Sequence, residues 1–241
     1  TVNLTTGSAS SVSFSNNDST FNALTANGSS STSFDSGLTV ATDIGKLALN
    51  ATSITSAGAL TLTGATGIDF GSGVTFTAGG DLTMSTTSGD IIGTGAFTLT
   101  SIGDISLAEN FTTAGATVIT ADSDGNGAGN FSNSSSTTLS TGNSALTLTA
   151  NDITLSGSIS SGTGSTTIAV SDGGTIGLGS TAGGMTISDT ELGNITAGTL
   201  NIGDSSTGNI TVDGISAANS NNATTVNLTT GSASSVSFSN N

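Results

Sequence analysis

The residues best suited to ligand chemistry lie in one short run, Asp122-Ser123-Asp124-Gly125-Asn126-Gly127. Oxygen-bearing side chains at positions one, three and five can converge on a hard cation, and a glycine at position six permits the sharp turn of an EF-hand-like calcium loop. Asp122, Asp124 and Asn126 are therefore the candidate metal ligands, with calcium as the candidate ion. Position twelve of such a loop carries Asn133 in place of the bidentate glutamate, and no helices are expected on either side. The competing reading is an acidic, glycine-rich surface turn. No other cofactor is indicated.

Catalytic chemistry finds little to work with. The chain has no His, Cys, Trp or Tyr and a single basic residue, Lys46, against 16 acidic ones. A polysaccharide lyase needs a basic residue to take a proton and cations to neutralise the uronate. A glycosidase needs two carboxylates a few ångströms apart, and no pair is singled out by spacing. Asp81, Asp90 and Asp104 each follow a glycine, and read as turn residues whose carboxylates accept backbone N–H bonds. The expectation is a protein that is not an enzyme. Threonine pairs of the T-x-T kind, which could order water on a flat face as in ice-binding solenoids, occur at 61–63, 98–100 and 147–149. They do not recur at every interval, so a continuous array is not expected.

Charge narrows the partners. The net charge of −15 excludes nucleic acid, which is bound through Lys and Arg, and disfavours anionic membrane surfaces. Divalent cations are the natural counter-charge. No apolar run approaches the ~18–20 residues that span a bilayer, so the chain is not expected to be membrane-embedded.

The elements that must carry these residues are short strands. Apolar residues recur two apart, as in Leu38/Val40, Leu47/Leu49, Leu60/Leu62, Ile68/Phe70, Leu82/Met84, Ile105/Leu107, Leu146/Leu148 and Ile210/Val212, with Ser and Thr between them. Alternation of period two is the strand signal, and each run ends at Gly, Asn or Asp. Helix is disfavoured throughout, since no three-and-four-residue apolar stripe appears and poor helix formers dominate.

The strands recur at a longer interval. Leu38, Leu60, Leu82 and Ile105 are separated by 22, 22 and 23 residues; Leu47, Ile68 and Ile91 by 21 and 23; Ile54, Phe76 and Phe97 by 22 and 21. Leu146 to Ile168 and Ile153 to Ile176 continue the interval. Three strand series repeating every ~22 residues are what a three-sided parallel β-helix (a β-solenoid) requires. Ten coils at the ~4.8 Å spacing of neighbouring strands would rise ~48 Å. An immunoglobulin-like sandwich array is the competitor, but its modules are longer than this interval and use aromatic core plugs. The pattern lapses at 121–137 and at 216–225, the latter reading as a loop.

The string TVNLTTGSASSVSFSNN occupies residues 1–17 and again 225–241, giving a period of 224 residues. Residues 1–224 thus read as one solenoid unit and 225–241 as the first coil of the next, with Val226 and Leu228 expected to continue the ladder that Val2 and Leu4 begin. The termini are not expected to be biological ends.

The phrases AGGDLTMSTTSGDI (78–91), SIGDISLAENFTTAG (101–115), ANDITLSGSISS (150–161) and AGGMTISD (182–189) resemble coils of the filamentous-haemagglutinin-type large exoproteins, the two-partner-secretion adhesins. That resemblance implies a right-handed parallel β-helix, export from the cell and a role in adhesion or matrix building. The functional expectation is a structural repeat of a giant extracellular or cell-surface fibre that gives mechanical extension, cell cohesion or a sheath. The alternative is an adhesin stalk presenting a binding tip elsewhere in the polypeptide. Its partners would be further copies of the repeat, end to end and laterally.

Overall fold

Short strands, most of three to five residues, form where apolar and hydroxyl residues alternate, because most bury two or three inward side chains and leave Thr or Ser on the outer face of the pleat. The computed structural model describes residues 1–28 and 30–239, and holds twenty-nine strands among them. The chain is an all-β parallel β-solenoid of about eleven turns spaced ~22 residues apart. A strand generally pairs in parallel with the strand three further along the chain: Val2–Thr5 with Leu24–Asn27, Ser11–Phe14 with Ser31–Phe34, and Ser19–Phe21 with Leu38–Thr42. These three pairings begin the first, second and third ladders.

Each apolar pair quoted from the sequence lies in a strand, and all of those side chains are buried except Val212, which is half-buried at the C-terminal end. Two of the series stack as the spacing predicts: Leu38, Leu60, Leu82 and Ile105 on the third ladder, and Leu47, Ile68 and Ile91 on the first. On the second ladder the register slips by two residues. Phe76 lies beside Ile54 but faces Leu99 rather than Phe97, and Ile168 faces Leu148 rather than Leu146. A two-residue slip keeps the same side chains inward, so hydrophobic spacing alone cannot detect it. Phe70, Phe97 and Phe111 pack in sequence along the core, with ring centroids 5.0 and 5.1 Å apart.

The regular coil is interrupted twice. From Phe111 to its neighbour Leu139 the turn lengthens to carry the Asp122 loop. Further on, Ile176–Gly179 passes over one level of the third ladder, and Met185–Ile187 returns to fill it, pairing with Ile176–Gly179. Ile153 therefore does not face Ile176. Ile153–Leu155 makes no ladder pairing with Met185–Ile187 above it, and side chains bridge this edge instead. Leu155 N donates to Glu191 Oε1 (3.0 Å), Thr186 N to Asp152 Oδ1 (2.8 Å) and Asn194 Nδ2 to Leu155 O (2.8 Å).

Among the described residues, two short helices occur where none is expected. Asp189–Gly193 starts with a capping box between Ser188 and Glu191, and Ala217–Ser220 is capped by Ser216. The second helix sits in the stretch read as a loop, which continues directly into the strand Ala223–Leu228. Tertiary contact overrides weak propensity here: Asp189 accepts from Ser216 N and Asn219 Nδ2, both at 2.8 Å, and ties one helix to the other.

The repeated string also departs from expectation. Val2 and Leu4 stand on the first ladder beside Leu24 and Ala26. Val226 and Leu228 stand on the second, beside Leu200 and Ile202. The final turns run straight from the first ladder into the second through Ile195–Ile202 and Ala223–Leu228, so fewer residues separate the ladders there than in the opening turn. Asn240 and Asn241 lie outside the described residues.

Candidate functional site

The loop after Thr117–Thr120 is built around Asp122. This residue is buried and takes a left-handed backbone conformation, φ 55°, which aspartate tolerates better than most residues. Its Oδ1 accepts from Asn126 N (3.0 Å), and its Oδ2 from Gly127 N (3.1 Å) and Ser171 Oγ (2.5 Å). Burial pushes the carboxyl upward, but the hydrogen bonds from Ser171, Gly127, Ala128 and Asn126 outweigh it, and its pKa lies below the ordinary aspartate value. Gly125 and Gly127 both have positive φ, 65° and 79°, and let the chain fold back over the carboxylate.

The three sequence-predicted ligands are neighbours with different roles. Asp122 points inward and is engaged on both oxygens. Asp124 is exposed, and its Oδ2 accepts from Asn126 Nδ2 (2.9 Å). Asn126 contributes its backbone N–H to Asp122 and its side-chain amide to Asp124. Asn133, at the twelfth position, is buried in its own strand, where its Nδ2 donates to Ser158 O (3.1 Å) and its Oδ1 accepts from Gly157 N (3.2 Å). Among the described residues, no group of three or more His, Cys, Asp or Glu side chains is gathered in a way that could hold a metal ion. Ser171, two turns further along the solenoid and unremarked in the sequence, completes the Asp122 arrangement; only the fold brings it there.

The turn aspartates connect successive coils. Asp81 Oδ1 accepts from Asp104 N (3.0 Å), and Asp104 Oδ1 from Asn130 N (2.7 Å). Asp90 accepts a side-chain bond instead, from Asn110 Nδ2 (2.9 Å). Asp204 closes its own turn: burial raises its pKa, but bonds from Ser206 and Thr207 outweigh that and hold it low. Lys46 forms an exposed ion pair with Asp69, with Nζ 2.9 Å from both oxygens. Stacked amides join neighbouring turns at Asn50–Asn27, Asn151–Asn130 and Asn227–Asn201.

The hydroxyl pattern is more regular than the T-x-T spacing indicates. On the second ladder, outward positions carry paired hydroxyls on five successive turns, from Ser11/Ser13 through Ser31/Ser33, Ser53/Thr55 and Thr75/Thr77 to Thr98/Thr100. Val118 interrupts the row before Thr147/Thr149 resumes it. Counting serine with threonine would have exposed this in the sequence. The Glu191 seal had a signal too, the Ser188-x-x-Glu191 capping pattern.

No described helix is long and apolar enough to cross a membrane. Comparison of the chain with protein-family models, curated protein sequences and solved structures returns no match.

Proposed function

We propose that the chain is a structural repeat of a large extracellular or cell-surface fibre, which supplies mechanical extension, cell cohesion or a sheath. The observation that carries this reading is the duplicated string. At the N-terminal end Phe14 is 8% exposed and stacks on Phe34 at 5.0 Å, whereas its counterpart Phe238 is 73% exposed at the other end. The same residue is a core residue when a turn follows it and a bare ring when none does. A following repeat would cover it with the equivalents of Thr32 and Phe34.

Stiffness in such a rod comes from continuous backbone ladders and stacked apolar rows, each turn stabilised chiefly by its nearest neighbours. The −15 charge per chain makes cations the natural mediators of lateral contact between rods. The resemblance to exported adhesins supports a location outside the cell and includes the variant in which the rod is a stalk for a binding tip. Immunogold labelling of intact source cells tests the location. Label on surface fibres is expected, and label confined to the cell interior refutes the reading.

A second reading is favoured by the hydroxyl rows of the second ladder, whose ~4.8 Å turn spacing could order water. Neighbouring hydroxyls there bond one another, as at Ser11–Ser31 (2.8 Å) and Ser13–Ser33 (2.9 Å), which occupies part of their capacity. Thermal hysteresis of the purified chain supports this second reading if present and removes it if absent.

A further inference from the structure

We infer that successive repeats are offset by one ladder, so that the first ladder of each unit continues the second ladder of the unit before it. The inference rests on the tandem-repeat reading and specifies the geometry of its joint.

The two copies of the repeated string show the two sides of one coil. The first copy shows what lies above it: Val2 and Leu4 pair with Leu24 and Ala26, and Val12 and Phe14 with Thr32 and Phe34. The second copy shows what lies below it: Val226 and Leu228 pair with Leu200 and Ile202, and Val236 and Phe238 with Ile210 and Val212. Local structure is shared. Each copy is a strand, a turn closed by Ser10 N to Gly7 O or by Ser234 N to Gly231 O, and a second strand. Their places around the axis differ by one step. The first copy occupies the first and second ladders. The second copy occupies the second ladder and the sheet that continues the third.

The register explains the step. Following the first ladder upward from Val2 leads through Leu24, Leu47, Ile68, Ile91, Phe111, Leu139 and Ile159 to Ile195. One turn further, the pairing of Ala197 with Ala223 puts residue 221 at this position. Val226 comes five residues later, already past the corner that Ala223–Leu228 crosses without a break. A 224-residue period therefore closes after nine turns and one further ladder, and not after a whole number of turns.

The open end is shaped for this continuation. An apolar hollow of about 270 Å³ is lined there by residues including Leu192, Ile202, Ile215, Val226 and Phe238. In the joined array Leu24, Ala26 and Phe34 of the following unit lie over it and extend the core. An outward feature such as the Lys46–Asp69 pair then faces a new side in each unit and returns to its starting side every third unit. The fibre would present its lateral contacts all round the axis.

Cysteine pairing in a two-unit chain, residues 1–224 fused directly to residues 1–241, tests the offset. The sequence has no native cysteine, and neighbouring parallel strands lie ~4.8 Å apart, within disulfide reach. Residue 227 of the fused chain is position 3 of the second unit. Asn201→Cys with Asn227→Cys joins adjacent outward positions on the second ladder. Thr196→Cys with Asn227→Cys joins positions that become adjacent only if the string returns to the first ladder. Near-complete oxidation of the 201/227 pair, with the 196/227 pair left reduced, is expected. Oxidation of 196/227 instead overturns the offset while leaving a continuous array intact. Failure of both pairs, with the second unit melting independently of the first, overturns the tandem joint itself.

Discussion

Replacing Asp122 with asparagine isolates what the carboxylate does for its loop. Asparagine keeps the shape and tolerates the positive φ, so the backbone cost that alanine would add at this position is avoided. The carboxylate accepts from backbone N–H groups of its own loop and one hydroxyl on the two oxygens of a buried side chain. Asparagine can offer one oxygen to these donors, and its amide nitrogen is turned against an N–H. Hydrogen bonds to a charged acceptor contribute about 1.5–3 kcal/mol each, and an unsatisfied buried donor costs about 1–3 kcal/mol. A loss of about 3 kcal/mol is expected at neutral pH, which for a chain of this size lowers Tm by roughly 6–12 °C. Because the folded-state pKa of Asp122 is depressed, its contribution is fully present above the unfolded value of about 3.9 and is lost as pH falls through the folded value. Melts followed by circular dichroism in chelator, at pH 7 and in steps below pH 4, measure both effects. The difference between parent and Asp122→Asn should shrink as the pH drops. A variant within 1 °C of the parent at pH 7 on the scale set by those magnitudes, or a difference that does not change with acidification, refutes the assigned role.

Other expectations are simpler. Thr32 is fully buried on the second ladder between Val12 and Ile54, and its hydroxyl has no hydrogen-bond partner among the described residues; Thr32→Val should raise stability by about 1 kcal/mol in urea melts. Phe97 is buried between Phe70 and Phe111, and Phe97→Ala should cost about 3–5 kcal/mol by the same measurement. With both Asp122 oxygens facing donors of the chain, calcium at about 1 mM, the weak end of oxygen-ligand sites, should leave the parent Tm unchanged. A calcium-dependent rise that the double variant Asp122→Asn, Asp124→Asn abolishes would assign the ion to this loop.

The architecture was legible because a solenoid writes its fold into one dimension: Leu38, Leu60 and Leu82 are equivalent in the sequence and adjacent in space. Register was less legible. Inward side chains two apart are interchangeable, so Phe97 and Leu99 compete for the place beside Phe76. The level filled by Met185–Ile187 was hidden because a strand laid down out of order has the same alternation as one laid down in order. The Asp122 loop was visible as a cluster of oxygen-bearing residues, but its inward orientation depends on Ser171, 49 residues away in the chain. The ladder change at the repeated string depends on a corner crossed without a turn, and nothing in the composition of Ala223–Leu228 marks that corner.

The mass of the intact natural polypeptide tests the tandem account most directly. The chain described here is 22.9 kDa. A polypeptide many times that mass, yielding peptides that run from the sequence before Thr225 into Phe238 and on through the sequence that follows Asn17, is the expected result. An intact polypeptide close to 22.9 kDa would contradict the fibre.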